Sequence, residues 1–236
     1  MSQAHPVPRH SDFRARVDAI GTERQPVLVI DNFLTHAETL VDFAATHAQF
    51  NSADANYPGV RAPAPGAYLQ AFRTHLAELI YETFGLMAKD IVGAQADFSM
   101  VVTPPANLRP LQRIPHYDSN KSSELAAVHF LCGAEQGGTD FYRHRSTGFE
   151  FVDQDRRATY KQAVDRDVAE KGMPPLAYMQ GDTQLFERIA SYPAAFNRLL
   201  VYRCTSLHSG NIASDFSFDP NPRTGRLTLN TFIFCR

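Results

Sequence analysis

The sequence has no tryptophan, only three cysteines and no long apolar run. Cys132, Cys204 and Cys235 are widely spaced and form no CxxC pair, which argues against a disulfide framework and against a zinc site. Phenylalanine occurs 17 times, so we expect it to fill much of the core. No apolar stretch is long enough to cross a bilayer, and the N-terminus lacks the apolar segment of a signal peptide. We therefore expect a cytoplasmic protein with no membrane partner.

Acidic and basic residues nearly balance, 25 against 23, and the net charge is −2. No basic block or arm is present, so the chain lacks the electrostatic footprint of a nucleic-acid-binding protein. A length of 236 residues fits one domain with a sizeable core. We expect residues 1–25 to be a flexible lead-in and residues 26–236 to fold as a single domain.

Two helices are predicted in the first half of the chain. Thr35 and Glu38 have the spacing of a capping box, which predicts a helix that runs to about Phe50. Apolar residues at helical spacing predict a second helix over residues 68–84, which Gly85 ends. Residues 51–66 are rich in Asn, Pro and Gly and predict a loop between the two helices.

From residue 94 the apolar pattern changes to a period of two, which is typical of strands. Short strands with turn signals between them predict a sandwich or barrel. A charged segment over residues 155–171 predicts an exposed helix, and we interpret about 150–192 as a helical insertion that is either a lid or decoration. We expect His129 to be a core histidine with its hydrogen bond satisfied, and His144 to be exposed in a turn.

Residues 114–119, which read IPHYDS, contain the strongest candidate site. Residues two apart on a strand point to the same face, so a nitrogen of His116 and an oxygen of Asp118 can bind one cation. A second histidine would complete a facial set of three ligands, which suits Fe(II) and O2 chemistry. His208, just after a predicted strand, is the candidate. A jelly roll would bring the three side chains together between its two sheets.

Arg226 begins the final predicted strand. A guanidinium at this place can bind a carboxylate through two parallel hydrogen bonds. The alternative is an ion pair with a nearby acid such as Asp215.

Taken in order, these elements resemble the prolyl-4-hydroxylase-like branch of the Fe(II)/2-oxoglutarate-dependent dioxygenases. The resemblance covers most of residues 26–236. The matching segments are the first strand of that branch (27–34), its HxD motif (116–119), its Gly-Gly turn (137–139), the strand that leads to its distal histidine (197–208) and its closing strand (225–232).

The resemblance implies a mainly β protein with flanking α-helices. Its core would be a double-stranded β-helix (a jelly-roll or cupin-like core), with the N-terminal helices packed on one sheet. Fe(II) would be bound by His116, Asp118 and His208, and Arg226 would bind the far carboxylate of 2-oxoglutarate, the cosubstrate. With O2, such an enzyme hydroxylates a C–H bond of an amino-acid, peptide or small-molecule substrate. The carboxylate of Asp118 favours hydroxylation over halogenation.

Two departures from the family pattern leave alternatives open. The turn over residues 216–224 is longer than in the family, so Arg223 is a rival to Arg226. The segment over residues 150–192 is also longer than a plain hairpin. Two other functions fit the same residues: a cupin-type Fe(II) protein that does not use 2-oxoglutarate, and a non-catalytic jelly-roll protein that binds a ligand.

Overall fold

The computed structural model describes residues 7–52 and 57–236. In that part of the chain, eleven strands form two antiparallel sheets, and three α-helices accompany them. The strands are β1 (Arg14–Ile20), β2 (Gln25–Asp31), β3 (Asn51–Ser52), β4 (Gly59–Pro63), β5 (Ile91–Val101), β6 (Leu125–Phe130), β7 (Gly138–His144), β8 (Phe186–Pro193), β9 (Arg198–Arg203), β10 (His208–Asn211) and β11 (Leu227–Cys235). The helices are α1 (Glu38–Thr46), α2 (Gly66–Phe84) and α3 (Arg157–Lys171).

The larger sheet has the strand order β1-β2-β9-β6-β11-β5-β4-β3, and the smaller has the order β10-β7-β8. Side chains alternate along β11, the central strand of the larger sheet. Leu227, Leu229 and Ile233 pack in one core cluster with α1 and α2. Thr228 and Asn230 point the other way, into a cavity between the sheets. The protein is therefore mostly β, with its N-terminal helices on one face of the larger sheet.

The second predicted helix is confirmed. Tyr68, Phe72, Leu76 and Ile80 recur every four residues along α2 and are buried against the larger sheet. Gly85 ends the helix with a φ of 71°, in the left-handed region that glycine adopts at the least cost.

The first predicted helix is shorter than expected. It begins at Glu38 and ends at Thr46, and no side chain caps its N-terminus. The predicted capping box is absent because His36 has a φ of 55°, which interrupts the helical backbone. The hydroxyl of Thr35 instead donates a hydrogen bond to the carbonyl of Arg9.

The expectation of a loose lead-in does not hold for Arg14–Ile20, which pair with β2 over their whole length. Most of β1 is exposed, so no apolar pattern in the sequence predicts this strand. Backbone hydrogen bonds to β2 hold it at the edge of the sheet.

Residues 1–6 lie outside the described residues, as do residues 53–56 of the predicted loop. None of the helices in the described ranges combines the length and apolar character needed to span a membrane.

His144 is fully buried, and the expectation of an exposed turn residue is wrong. Its Nδ1 lies 3.0 Å from the hydroxyl of Thr147, and its Nε2 lies 3.4 Å from a carboxylate oxygen of Asp167 on α3. The ring also packs edge-on against Tyr160 of α3, with 5.4 Å between the ring centroids. The sequence does not reveal this burial because the partners come from a distant helix.

His129 is a buried core histidine, as predicted. Its Nε2 donates to Oδ1 of Asn197 at 3.0 Å. The amide orientation of Asn197 is fixed because its Nδ2 donates to the carbonyl of Leu34 while its Oδ1 accepts from the Leu34 amide. Nδ1 of His129 has no hydrogen-bond partner among the described residues. Burial lowers the pKa of His129 from 6.5 to about 4, and the bond to Asn197 opposes this shift only in part.

These contacts predict how stability depends on pH. Between pH 6.5 and 4 the unfolded chain binds a proton at this histidine that the folded chain does not, so the free energy of unfolding decreases as the pH falls. We expect His129 to account for a loss of about 3 kcal/mol over that range. His129→Gln keeps a donor for Asn197 but does not titrate, so denaturant unfolding at a series of pH values should show a flatter decline.

The control is His47→Gln, because His47 is exposed. Its stability profile should follow that of the wild type. A decline of unchanged steepness in His129→Gln would contradict the role given to the buried imidazole.

Candidate metal centre

A cavity of about 710 Å³ lies between the two sheets. Its floor includes Thr228 and Asn230 of β11, and Tyr160 and Val164 of α3 form part of its wall. The helix of the 150–192 segment therefore contributes to the cavity. All three predicted ligands also line it, which places them beside a space large enough for a small molecule.

Backbone pairing positions the predicted ligands. His116 and His208 exchange two backbone hydrogen bonds of 2.9 Å each, which form an isolated antiparallel bridge. The amide of Asp118 donates to the carbonyl of Cys204 at 2.8 Å. The HxD segment is thus paired to His208 and to the chain four residues before it, and its two side chains point toward that histidine.

The three side chains converge. Nε2 of His116 lies 3.7 Å from one oxygen of Asp118, and Nε2 of His208 lies 3.5 Å from the other. One ligand atom from each residue lies within 4.8 Å of the others. A divalent metal with ligands at about 2.1 Å and right angles would hold donor atoms about 3 Å apart. The donor set therefore fits a metal after side-chain shifts on the order of 1 Å.

The contacts of the two imidazoles suit metal binding. Nδ1 of His208 donates to the carbonyl of Ser206 at 2.9 Å, so the lone pair is left on Nε2, which faces Asp118. About half of the His116 side chain faces the cavity space, yet the cavity walls enclose the ring. This desolvation lowers the pKa of His116 to about 4, and the neighbouring His208 acts in the same direction.

Arg226 is 4% exposed and lines the same cavity. Its Nη2 donates to the carbonyl of Gly138 at 2.9 Å. Within the described residues, its Nε has no hydrogen-bond partner and no acid pairs with the guanidinium. The alternative pairing with Asp215 is not observed. Arg223 lies elsewhere, in an ion pair with Asp42 that is about half exposed.

Arg61 is a further cavity residue. The prediction of a loop over residues 51–66 did not place its side chain in the cavity. Arg61 lies on strand β4, which pairs with β5 in antiparallel fashion. Its guanidinium stacks over the ring of Tyr57 at 4.5 Å from the centroid. Burial raises the pKa of Tyr57, and the charges of Arg226 and then Arg61 oppose that rise. Strand β4 has only five residues. Its alternating pattern is too short to predict a strand among the neighbouring Pro and Gly residues.

Other polar side chains differ in whether they line the cavity. Gln112, Tyr117 and Asn230 line the cavity. Arg113 instead donates to the carbonyl of Pro175. Tyr178 lines the cavity as well and donates to the carbonyl of Thr103 at 2.7 Å. No sequence pattern points to Tyr178, because the segment that carries it is irregular and has no periodicity.

A family model described as "Family of unknown function (DUF6445)" matches residues 11–233. The chain belongs to this family. None of the proteins with curated descriptions matches this DUF6445 sequence.

Several solved structures are similar to this DUF6445 member. The non-heme alpha ketoglutarate dependent epimerase SnoN from nogalamycin biosynthesis has a TM-score of 0.52 and 13% identity, over 90% of this chain and 80% of SnoN. The carbocyclase SnoK from the same biosynthesis has a TM-score of 0.49 and 12% identity, over 89% and 80%. HygX from Streptomyces hygroscopicus, with nickel and 2-oxoglutarate bound, has a TM-score of 0.46 and 9% identity, over 89% and 83%.

The cluster of His116, Asp118 and His208 predicts one divalent-metal site per chain. Titration with Co(II), followed by calorimetry and by the visible spectrum, should show one bound ion in the wild type. His116→Ala and His208→Ala should each weaken binding at least tenfold, because each removes one of three ligands.

His47→Ala removes an exposed histidine outside the cluster and should bind Co(II) as the wild type does. Equal affinity in the wild type and in both ligand variants would place the metal elsewhere and contradict the assignment.

Proposed function

We propose that this protein is an Fe(II)- and 2-oxoglutarate-dependent oxygenase that hydroxylates a C–H bond of an amino-acid, peptide or small-molecule substrate. The observation that carries the proposal is the convergence of His116, Asp118 and His208 in a cavity that also contains Arg226, whose guanidinium pairs with no acid among the described residues. The proposal includes membership of the prolyl-4-hydroxylase-like branch and a cytoplasmic location.

The strand order supports a double-stranded β-helix as the core. Strands β5, β11, β6 and β9 are neighbours in the larger sheet. The bridge between His116 and His208 adds the HxD segment to β10, β7 and β8. Four segments then face four strands, as in a jelly roll. SnoN, whose fold the chain shares, is described as alpha ketoglutarate dependent, so the proposed cofactors are compatible with this fold.

The chain itself would supply ligands, orientation and a sheltered cavity. His116, Asp118 and His208 would hold Fe(II) from one side and leave the cavity side for other ligands. The hydrogen bond from His208 to Ser206 keeps that imidazole in the tautomer that binds metal. When bound, Fe(II) and 2-oxoglutarate supply the oxidising chemistry for the attack on a C–H bond.

Arg226 would bind the far carboxylate of 2-oxoglutarate. An unpaired charge is costly in a buried position, and this guanidinium has only one carbonyl acceptor among the described residues. A carboxylate that forms a two-point contact would balance its charge. The ion pair of Arg223 with Asp42 removes the rival from the cavity, which supports Arg226 for this role.

A ligand-truncation experiment tests the role of Arg226. 2-Oxovalerate has the metal-binding end of 2-oxoglutarate but a methyl group in place of the far carboxylate. We expect the wild type with Fe(II), under anaerobic conditions, to bind 2-oxoglutarate at least tenfold more tightly than 2-oxovalerate, because only the former pairs with Arg226. The visible charge-transfer band of the iron–2-oxo acid complex gives both affinities. Arg226→Gln should remove most of this preference.

Arg223→Gln is the matched control and should keep the preference of the wild type. A band with the same preference in Arg226→Gln would contradict the assignment. Bound iron without any band would favour the cupin-type alternative, and failure to bind iron would favour the non-catalytic one.

A further inference from the structure

Arg61 occupies a second, separate place in the cavity. It pairs with Ser99 of β5, and Ser99 pairs with Thr228 of β11. Directly opposed residues share a face of the sheet, so Arg61 points to the same side as Thr228, a cavity residue. Two strand spacings and two residues along the strands separate it from Arg226, which corresponds to roughly 12 Å between Cα atoms. Arg226 is buried, whereas Arg61 is half-buried.

The guanidinium of Arg61 has an aromatic neighbour but no acid. It lies over the ring of Tyr57, which is a favourable contact that leaves the guanidinium N–H groups available. In the ranges 7–52 and 57–236, no carboxylate lies within ion-pair distance of it, and its buried Nε has no hydrogen-bond partner. The guanidinium is a planar fork of hydrogen-bond donors, and without an acidic partner it suits a carboxylate ligand.

The acids that line the cavity do not neutralise this charge. Glu124 pairs with Lys121 at 3.1 Å, and Asp165 pairs with Lys161 at 2.5 Å. Asp118 belongs to the proposed metal site. Arg157, which also lines the cavity, is exposed. With Fe(II) and the 2-oxoglutarate dianion in place, Arg61, Arg226 and the metal carry four positive charges against three negative charges on Asp118 and 2-oxoglutarate, an excess of one. A third carboxylate in the cavity would balance it.

We infer that Arg61 binds a carboxylate of the organic substrate, so that the enzyme acts on small organic acids. This inference rests on the proposed function, because it assumes that the metal and Arg226 bind the two carboxylates of 2-oxoglutarate. The cavity wall suits the rest of such a molecule: Leu111, Tyr117 and Tyr160 present apolar and aromatic surface. The preferred substrates are therefore acids with an apolar or aromatic part.

The test compares matched acids and amides on the anaerobic complex with Fe(II) and 2-oxoglutarate. The probes are 3-phenylpropionate, phenylacetate and hexanoate, each paired with its amide, and calorimetry gives the affinities. At least one acid should bind the wild type at least tenfold more tightly than its amide. Arg61→Gln should abolish this preference, and Arg61→Lys, which keeps the charge, should retain part of it.

Arg73→Gln, on the exposed side of α2, is the matched control and should behave as the wild type. The 2-oxo acid band distinguishes a failure of the inference about Arg61 from a failure of the proposed function. A normal band in Arg61→Gln, with the acid preference lost, supports the inference. A wild-type band accompanied by equal binding of acids and amides, or by no acid binding, overturns the inference alone. Weaker 2-oxoglutarate binding in Arg61→Gln assigns Arg61 to the cosubstrate and also overturns it. Absence of the band in the wild type overturns the proposed function.

Discussion

Two backbone hydrogen bonds between His116 and His208 hold the candidate site together. Each residue's amide donates to the other's carbonyl at 2.9 Å, and the two rings lie side by side with 4.4 Å between centroids. The bond from the Asp118 amide to Cys204 extends this pairing. Because main-chain bonds fix the positions of these residues, the cluster forms as a consequence of the fold. Such preorganisation reduces the cost of assembling three ligands around one ion.

The cavity owes its charge to arginines that the fold leaves without acids. In the described residues, Arg226 is buried with one carbonyl acceptor, and Arg61 is stacked on Tyr57. Most other arginines in ion pairs lie toward the surface, as Arg223 does with Asp42. A guanidinium that has no acidic partner in an enclosed space is stabilised when an anion binds to it. The same feature underlies both the proposed binding of a dianionic cosubstrate and the proposed acidic substrate.

The parts that the sequence predicted well depend on local patterns. The two-residue spacing of His116 and Asp118 places them on one face, and Gly85 marks a helix end that needs a positive φ. The parts it missed depend on distant partners. His144 is buried by side chains of α3, and the mostly exposed strand Arg14–Ile20 is held mainly by backbone pairing to β2. Which of Arg226 and Arg223 lines the cavity depends on the path of the loop before β11, which no periodicity encodes.

A crystal structure of the anaerobic complex with Fe(II) and 2-oxoglutarate tests the central claim most directly. The account predicts one iron bonded to Nε2 of His116, a carboxylate oxygen of Asp118 and Nε2 of His208. It also predicts that 2-oxoglutarate binds the iron through its 2-oxo acid end, with the far carboxylate on Arg226. Iron bound at other residues, or 2-oxoglutarate with its far carboxylate away from Arg226, would contradict it.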